Sequence, residues 1–90
     1  LWGAQQPFTV NLKDPEYRDG VISTNQGGVI TSPELRVQAH HIVYINKVEK
    51  GKTIHRVIAE GDLMLDNGGR TYVGRRLEYD FITKTGIVYN

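Results

Sequence analysis

Cysteine is absent from the 90 residues. That removes disulfide scaffolds, zinc ribbons and thiol catalysis together, and it is compatible with an oxidising compartment. No apolar run approaches the roughly 18 residues a spanning helix needs. No window carries a helical period with start and stop signals. Charge of one sign is lacking too: 11 basic and 10 acidic side chains are spread evenly, for a net charge of +1. Arg75-Arg76 is the sole adjacent pair of cations, so the chain has no electrostatic footprint for nucleic acid. No secretory leader is visible and the chain opens at Leu1 rather than Met. The expectation is a mature or excised fragment, with any targeting segment lost before this numbering. Residues 1–90 are short enough for a single domain, either whole or part of a longer chain. A chain of this size buries roughly 60–65% of its unfolded surface, so its own core is marginal.

What is present is strand chemistry. Val, Ile, Thr and Tyr are abundant, and turn signals recur about every ten residues, the spacing of a sandwich or barrel. The organising stretch is Glu60 to Asp80. Leu63 and Leu65 alternate with Asp62, Met64 and Asp66. Asn67-Gly68-Gly69 supplies the positive-φ residues of a tight hairpin. Tyr72 alternates with Thr71 and Val73, Gly74 breaks the run, and Leu77, Tyr79 and Phe81 begin another.

An earlier stretch, Gly28 to Ile45, follows the same plan. Val29 and Thr31 align with Leu63 and Leu65, and Ser32-Pro33-Glu34 takes the place of the turn. Leu35, Val37 and Ala39 align with Arg70, Tyr72 and Gly74. His40-His41 then stands against Arg75-Arg76, and Ile42 and Tyr44 against Leu77 and Tyr79. A repeated strand unit of this period points to an internal duplication.

The remaining segments read as follows. Trp2 is the one aromatic side chain of the opening seven residues and reads as a cap on a core edge. Phe8 to Leu12 alternates as a strand, Lys13-Asp14-Pro15-Glu16 is a turn, and a short strand lies near Gly20 to Thr24. Lys47 to Thr53 reads as a polar loop. Ile54 to Ala59 is a strand whose inward positions are taken as Val57 and Ala59. Thr83 to Gly86 turns the chain into a last strand at Ile87 to Tyr89. About eight strands result, with Gly27, Gly61 and Gly74 at corners.

Catalytic motifs are missing. Adjacent His40 and His41 point to opposite faces of a strand and cannot share a metal without a bulge. A barrel-type metal site would need one of them with His55 and an acid, and the His-x-His pattern is lacking. Asp62, Asp66, Glu78 and Asp80 sit at turns or outward positions, as a solvated face rather than a carboxylate dyad. Ser23 and Ser32 have no nucleophile-elbow context, and the glycine pairs form no phosphate loop. The reading is therefore a non-enzyme with no catalytic residue, no metal and no cofactor.

The segments A-E-G-D-L-M-L, G-R-T-Y-V-G-R-R-L-E-Y-D and T-G-I-V resemble the OstA-like family of lipopolysaccharide-transport proteins. That family includes a periplasmic bridge protein and the N-terminal domain of the outer-membrane translocon. Ala59, Gly61, Leu63, Leu65, Gly74, Leu77, Tyr79 and Asp80 carry the second copy of its repeat. Gly27, Val29, Ala39, Ile42 and Tyr44 carry the first. Asp62 and Gly28 replace a common Asn, and Arg75 and His40 stand where an acid is common. The resemblance covers about Gly20 to Asn90.

It implies an all-β fold, a single open β-jelly-roll of about eight antiparallel strands, in the periplasm or as a periplasmic domain of an outer-membrane protein. It implies an apolar groove for the acyl chains of lipid A. On the sheet phases above, the groove candidates of the first copy are Val29, Leu35, Val37, Ile42 and Tyr44. Those of the second are Val57, Leu63, Leu65, Tyr72, Leu77, Tyr79 and Phe81. For each the plain core residue is the first reading and acyl contact the second, and both can hold near the mouth. Arg70, Arg75, Arg76 and Lys84 are the cations that would meet lipid phosphates at a groove mouth, or else ordinary surface charge. Partners would be lipopolysaccharide and neighbouring jelly-rolls, including copies of this chain, joined through the edge strands Phe8–Leu12 and Ile87–Tyr89. The alternative function is a structural, self-assembling β module without lipid cargo.

Overall fold

A computed structural model describes residues 8–90; the Trp2 reading lies outside them. The described residues form nine strands: β1 Thr9–Leu12, β2 Glu16–Arg18, β3 Val21–Thr24, β4 Gly28–Thr31, β5 Leu35–Ala39, β6 His41–Glu49, β7 Lys52–Asn67, β8 Arg70–Asp80 and β9 Thr85–Tyr89. All pair antiparallel in one curled sheet of order β1-β4-β5-β7-β6-β3-β2, with β8 on β7 and β9 on β8. The fold is all-β and half-barrel in shape, compatible with an open β-jelly-roll.

The curl comes from a crease. β6 pairs with β7 from Glu60 back to Lys52, while β5 pairs with β7 from Met64 on to Asn67. The 16-residue β7 therefore belongs to two leaves. Its register against β8 slips between Glu60 and Leu63, where Gly61 (φ 82°) and Asp62 (φ 48°) form a bulge. Three backbone bonds run along the crease: Lys13 N–H to Gly27 O at 3.0 Å, Gly27 N–H to His40 O at 2.7 Å, and His40 N–H to Gly61 O at 2.8 Å. Thr24, buried, donates its hydroxyl to Lys13 O and accepts from Gln26 N–H at 2.9 Å. It thus ties the β1–β2 corner to the end of β3.

The first leaf comprises β1, β4, β5 and the far halves of β7 and β8; the second comprises β2, β3, β6, the near halves of β7 and β8, and β9. Registers align Val10, Ile30, Val37, Leu65 and Tyr72 across the inner face of the first leaf. Ile22, Tyr44, Val57 and Tyr79 align across the second. The inner faces meet in one apolar cluster. At about 25 cal/mol per Å² of apolar surface, this contact is the main stabilising term.

Three expectations are corrected. Ile30 is 0% exposed, and Val29 lies on the opposite face beside Asn11 and Gln38. The copy-to-copy alignment is thus displaced by one residue in this arm, because the two turns are equally long: Ile30 pairs Val37 as Leu65 pairs Tyr72, and Ser32 N–H bonds Leu35 O at 2.8 Å around Pro33-Glu34 as Asn67 pairs Arg70 around Gly68-Gly69. The polar segment Lys47 to Thr53 is mostly strand. Only Lys50 (φ 51°) and Gly51 (φ 77°) turn, both in the left-handed region that a tight hairpin needs. The same geometry at Asp19-Gly20 creates an extra strand, β2, beside β3.

Elsewhere the duplication is physical. Ala39 and Ile42 both face inward although three residues apart, and Gly74 and Leu77 make the same three-residue step where β8 crosses the crease.

Candidate functional site

The leaves are shut along three sides and open along one. At the crease the backbone is continuous. On the β1–β2 side the chain itself passes from one leaf to the other, and Val10, Leu12 and Ile22 lean on the core. At the far end an aromatic cluster fills the gap: Phe8 comes from the first leaf, and Tyr44, His55 and Phe81 from the second. His55 and Phe81 lie 4.6 Å apart between ring centroids, and Phe8 sits 5.1 Å from His55 and 5.2 Å from Phe81. The side left open runs between Tyr72, at the rim of the first leaf, and Val88, at the rim of the second. A cavity of about 480 Å³ lies there, within the roughly 300–1,000 Å³ of small-ligand sites. Leu65, Leu77, Tyr79 and Gly86 form its floor and wall, and Lys84 stands on its rim.

Of the expected groove residues, Leu65, Tyr72, Leu77 and Tyr79 line this cavity. Leu35, Val37, Ile42, Tyr44, Val57, Leu63 and Phe81 are buried in the core cluster, and Val29 is outside it. The trough near the crease is thus packed by the protein's own side chains rather than empty. Tyr72 is 39% exposed because no strand follows it on the first leaf. Ile30, Gly86 and Val88 were not foreseen as inward. β9 had a visible strand signal, but its phase depends on its pairing with β8. At Gly86 any Cβ would stand 2.6 Å from Glu78 O and 2.8 Å from Tyr79 Cδ1, so glycine is what lets β9 lie against Tyr79.

The cations separate. Arg76 turns outward and pairs with Glu60 at 3.2 Å and Glu78 at 3.1 Å. Lys84, on the turn after β8, reaches across to Glu34 on the turn after β4, at 3.5 Å. Asp80 fixes its turn by accepting Ile82 N–H at 2.8 Å and Thr83 N–H at 3.2 Å. Ser32 fixes the other, its hydroxyl accepting Leu35 N–H at 3.1 Å. Burial first, and then the Glu34 carboxylate, push the Tyr79 phenol above its usual pKa.

The histidines do not converge. His40 sits on the crease, His41 donates to Asn25 Oδ1, and His55 lies in the aromatic cluster. Among the described residues, no three His, Cys, Asp or Glu side chains are grouped to hold a metal. His55 Nε2 and the Tyr44 hydroxyl share a hydrogen bond at 2.5 Å. Burial lowers the His55 pKa below 6.5, with Asp80 opposing. A lowered pKa means that the fold favours neutral imidazole. Burial makes the imidazolium cost more in the folded than in the unfolded chain, so stability present above about pH 6.5 is lost as pH falls through the folded value. The urea midpoint of the wild type should drop between about pH 7.5 and 5.5, and His55→Gln should flatten that drop. An unchanged drop in the variant would assign the effect to another group.

No helix among the described residues is long and apolar enough to cross a membrane. No family model matches the chain, and neither a curated protein nor a solved structure matches it.

Proposed function

We propose that this domain handles lipopolysaccharide in the periplasm, as a free carrier or as part of an outer-membrane protein, shielding acyl chain in an apolar trough. The observation that carries the reading is the open-sided cavity between Tyr72 and Val88, continuous with the apolar core. The resemblance of both repeat copies to OstA-like proteins gives it a cargo. Energetics suit a conduit. Each CH₂ taken from water is worth about 0.8 kcal/mol in any apolar site. A bilayer offers nearly the same gain, so exchange between membrane and trough lies near zero and its direction is set elsewhere.

A second reading, a self-assembling module without cargo, draws on the edges. Among the described residues β1, β2 and β9 each pair on one side only, and unpaired edge groups invite strand addition. The two readings separate in one experiment. A photo-reactive residue at Tyr72 should crosslink to lipopolysaccharide, and one at Thr71, its outward neighbour beside Asp66 and outside the cavity lining, should not. Equal yields at both positions, or none at either beside concentration-dependent sedimentation, would favour assembly over transport.

A further inference from the structure

The two leaves are held differently at their two ends. The crease is covalent and hydrogen-bonded. Beside the cavity, beyond the apolar packing and the Phe8 aromatic contacts, the charged connection is one exposed ion pair, Lys84–Glu34 at 3.5 Å, and among the described residues no other ion pair links one leaf to the other. Both partners stand on turns that are pinned from within. Ser32 holds the first through its bonds to Leu35, and Asp80 holds the second, where Lys84 (φ 60°) also gives its N–H to Asp80 O at 2.8 Å. Each turn keeps its own shape and sits at the end of its own leaf, so the contact is made or broken as the leaves approach or separate. Lys84 is also the one cation on the cavity rim, with Tyr79 and Leu77 directly below it.

We propose that Lys84–Glu34 is a latch released by exchange: the anionic head group of an amphiphilic cargo takes Lys84 from Glu34 while its chain enters between Tyr72 and Val88. This rests on the trough reading and adds to it a head-group class and an order of events. The physical basis is a difference in environment. The ion pair is solvent-exposed, with side-chain exposures of 64% and 38%, and such pairs contribute little. A phosphate offers Lys84 more charge and more acceptor oxygens than one carboxylate does. Once Lys84 turns to the cargo, nothing charged holds the rim closed.

The test uses amphiphiles with one chain and different heads, each below its micelle threshold: dodecyl phosphate, dodecyl maltoside and dodecyltrimethylammonium. Inorganic phosphate serves as a head without a chain. Calorimetry on the whole chain should rank dodecyl phosphate tightest and show no binding of inorganic phosphate at the same concentration. Lys84→Gln should abolish the preference for the anionic head, and Lys84→Arg should keep it. Glu34→Gln, which frees Lys84, should tighten dodecyl phosphate by roughly two- to five-fold, the range that an exposed pair can supply. Binding without head preference, or a preference that survives Lys84→Gln, overturns the latch and leaves the trough standing. Binding of inorganic phosphate alone shows a simple anion contact and also overturns it. Failure of all three amphiphiles rejects the trough, and the latch with it.

Discussion

Ile30→Asn is expected to cost about 3–5 kcal/mol, while Val29→Asn, one residue away, should shift stability by less than about 1 kcal/mol. Ile30 is fully enclosed and stands in the row that runs from Val10 through Val37 to Leu65. Asparagine there loses the buried methyl groups and brings an amide with no partner into an apolar cluster. Val29 faces outward beside Gln38, where an amide meets water. The total stability of a domain this size is of order 5–13 kcal/mol, so the first substitution removes a large part of it. Urea denaturation of both variants decides the matter. Equal losses, or a larger loss at Val29, would reverse the assignment of faces in this arm.

Gly61→Val is the second large effect. Gly61 sits at φ 82° on the crease, its carbonyl bound to His40 N–H, and an added Cβ would lie 3.3 Å from His40 Cβ. A β-branched side chain in the left-handed region is strained, and the cost should be about 2–3 kcal/mol. Asparagine tolerates that region, so Gly61→Asn should lose only about 1 kcal/mol. Comparing the denaturation midpoints of the two variants isolates backbone strain from lost space. Wild-type stability in the valine variant would mean that the chain bends elsewhere.

Much of this architecture is legible in the residues, and the parts that are not have identifiable causes. Alternation at Leu63 and Leu65, and again at Leu77 and Tyr79, reports the inner face because these strands are solvated on one side. Gly27, Gly61 and Gly74 mark the crease because a sharply bent strand tolerates few side chains. The phase at Val29 and Ile30 is lost because both are apolar and adjacent, so alternation alone cannot choose between them. The register across β4 and β5 chooses, and that is set by a non-local pairing. The loop expected from Lys47 to Thr53 is misjudged for a related reason. Lysines and a glutamate suit the exposed end of a long hairpin as well as they suit a loop, and only Lys50-Gly51 has to turn. At the cavity, Leu65, Tyr72, Leu77 and Tyr79 are legible as inward residues. Which of the inward set borders open space is not, because that depends on where β9 ends beside the first leaf. The Lys84–Glu34 contact joins turns fifty residues apart and leaves no local trace in the sequence.

β7 crosses the crease as one unbroken backbone, and β8 runs alongside it. Sliding one leaf along the other would have to stretch covalent bonds, so shear is forbidden and torsion at Gly61-Asp62 is what remains. Any widening of the rim therefore winds two strands like a leaf spring, and the elastic return needs no partner to drive it.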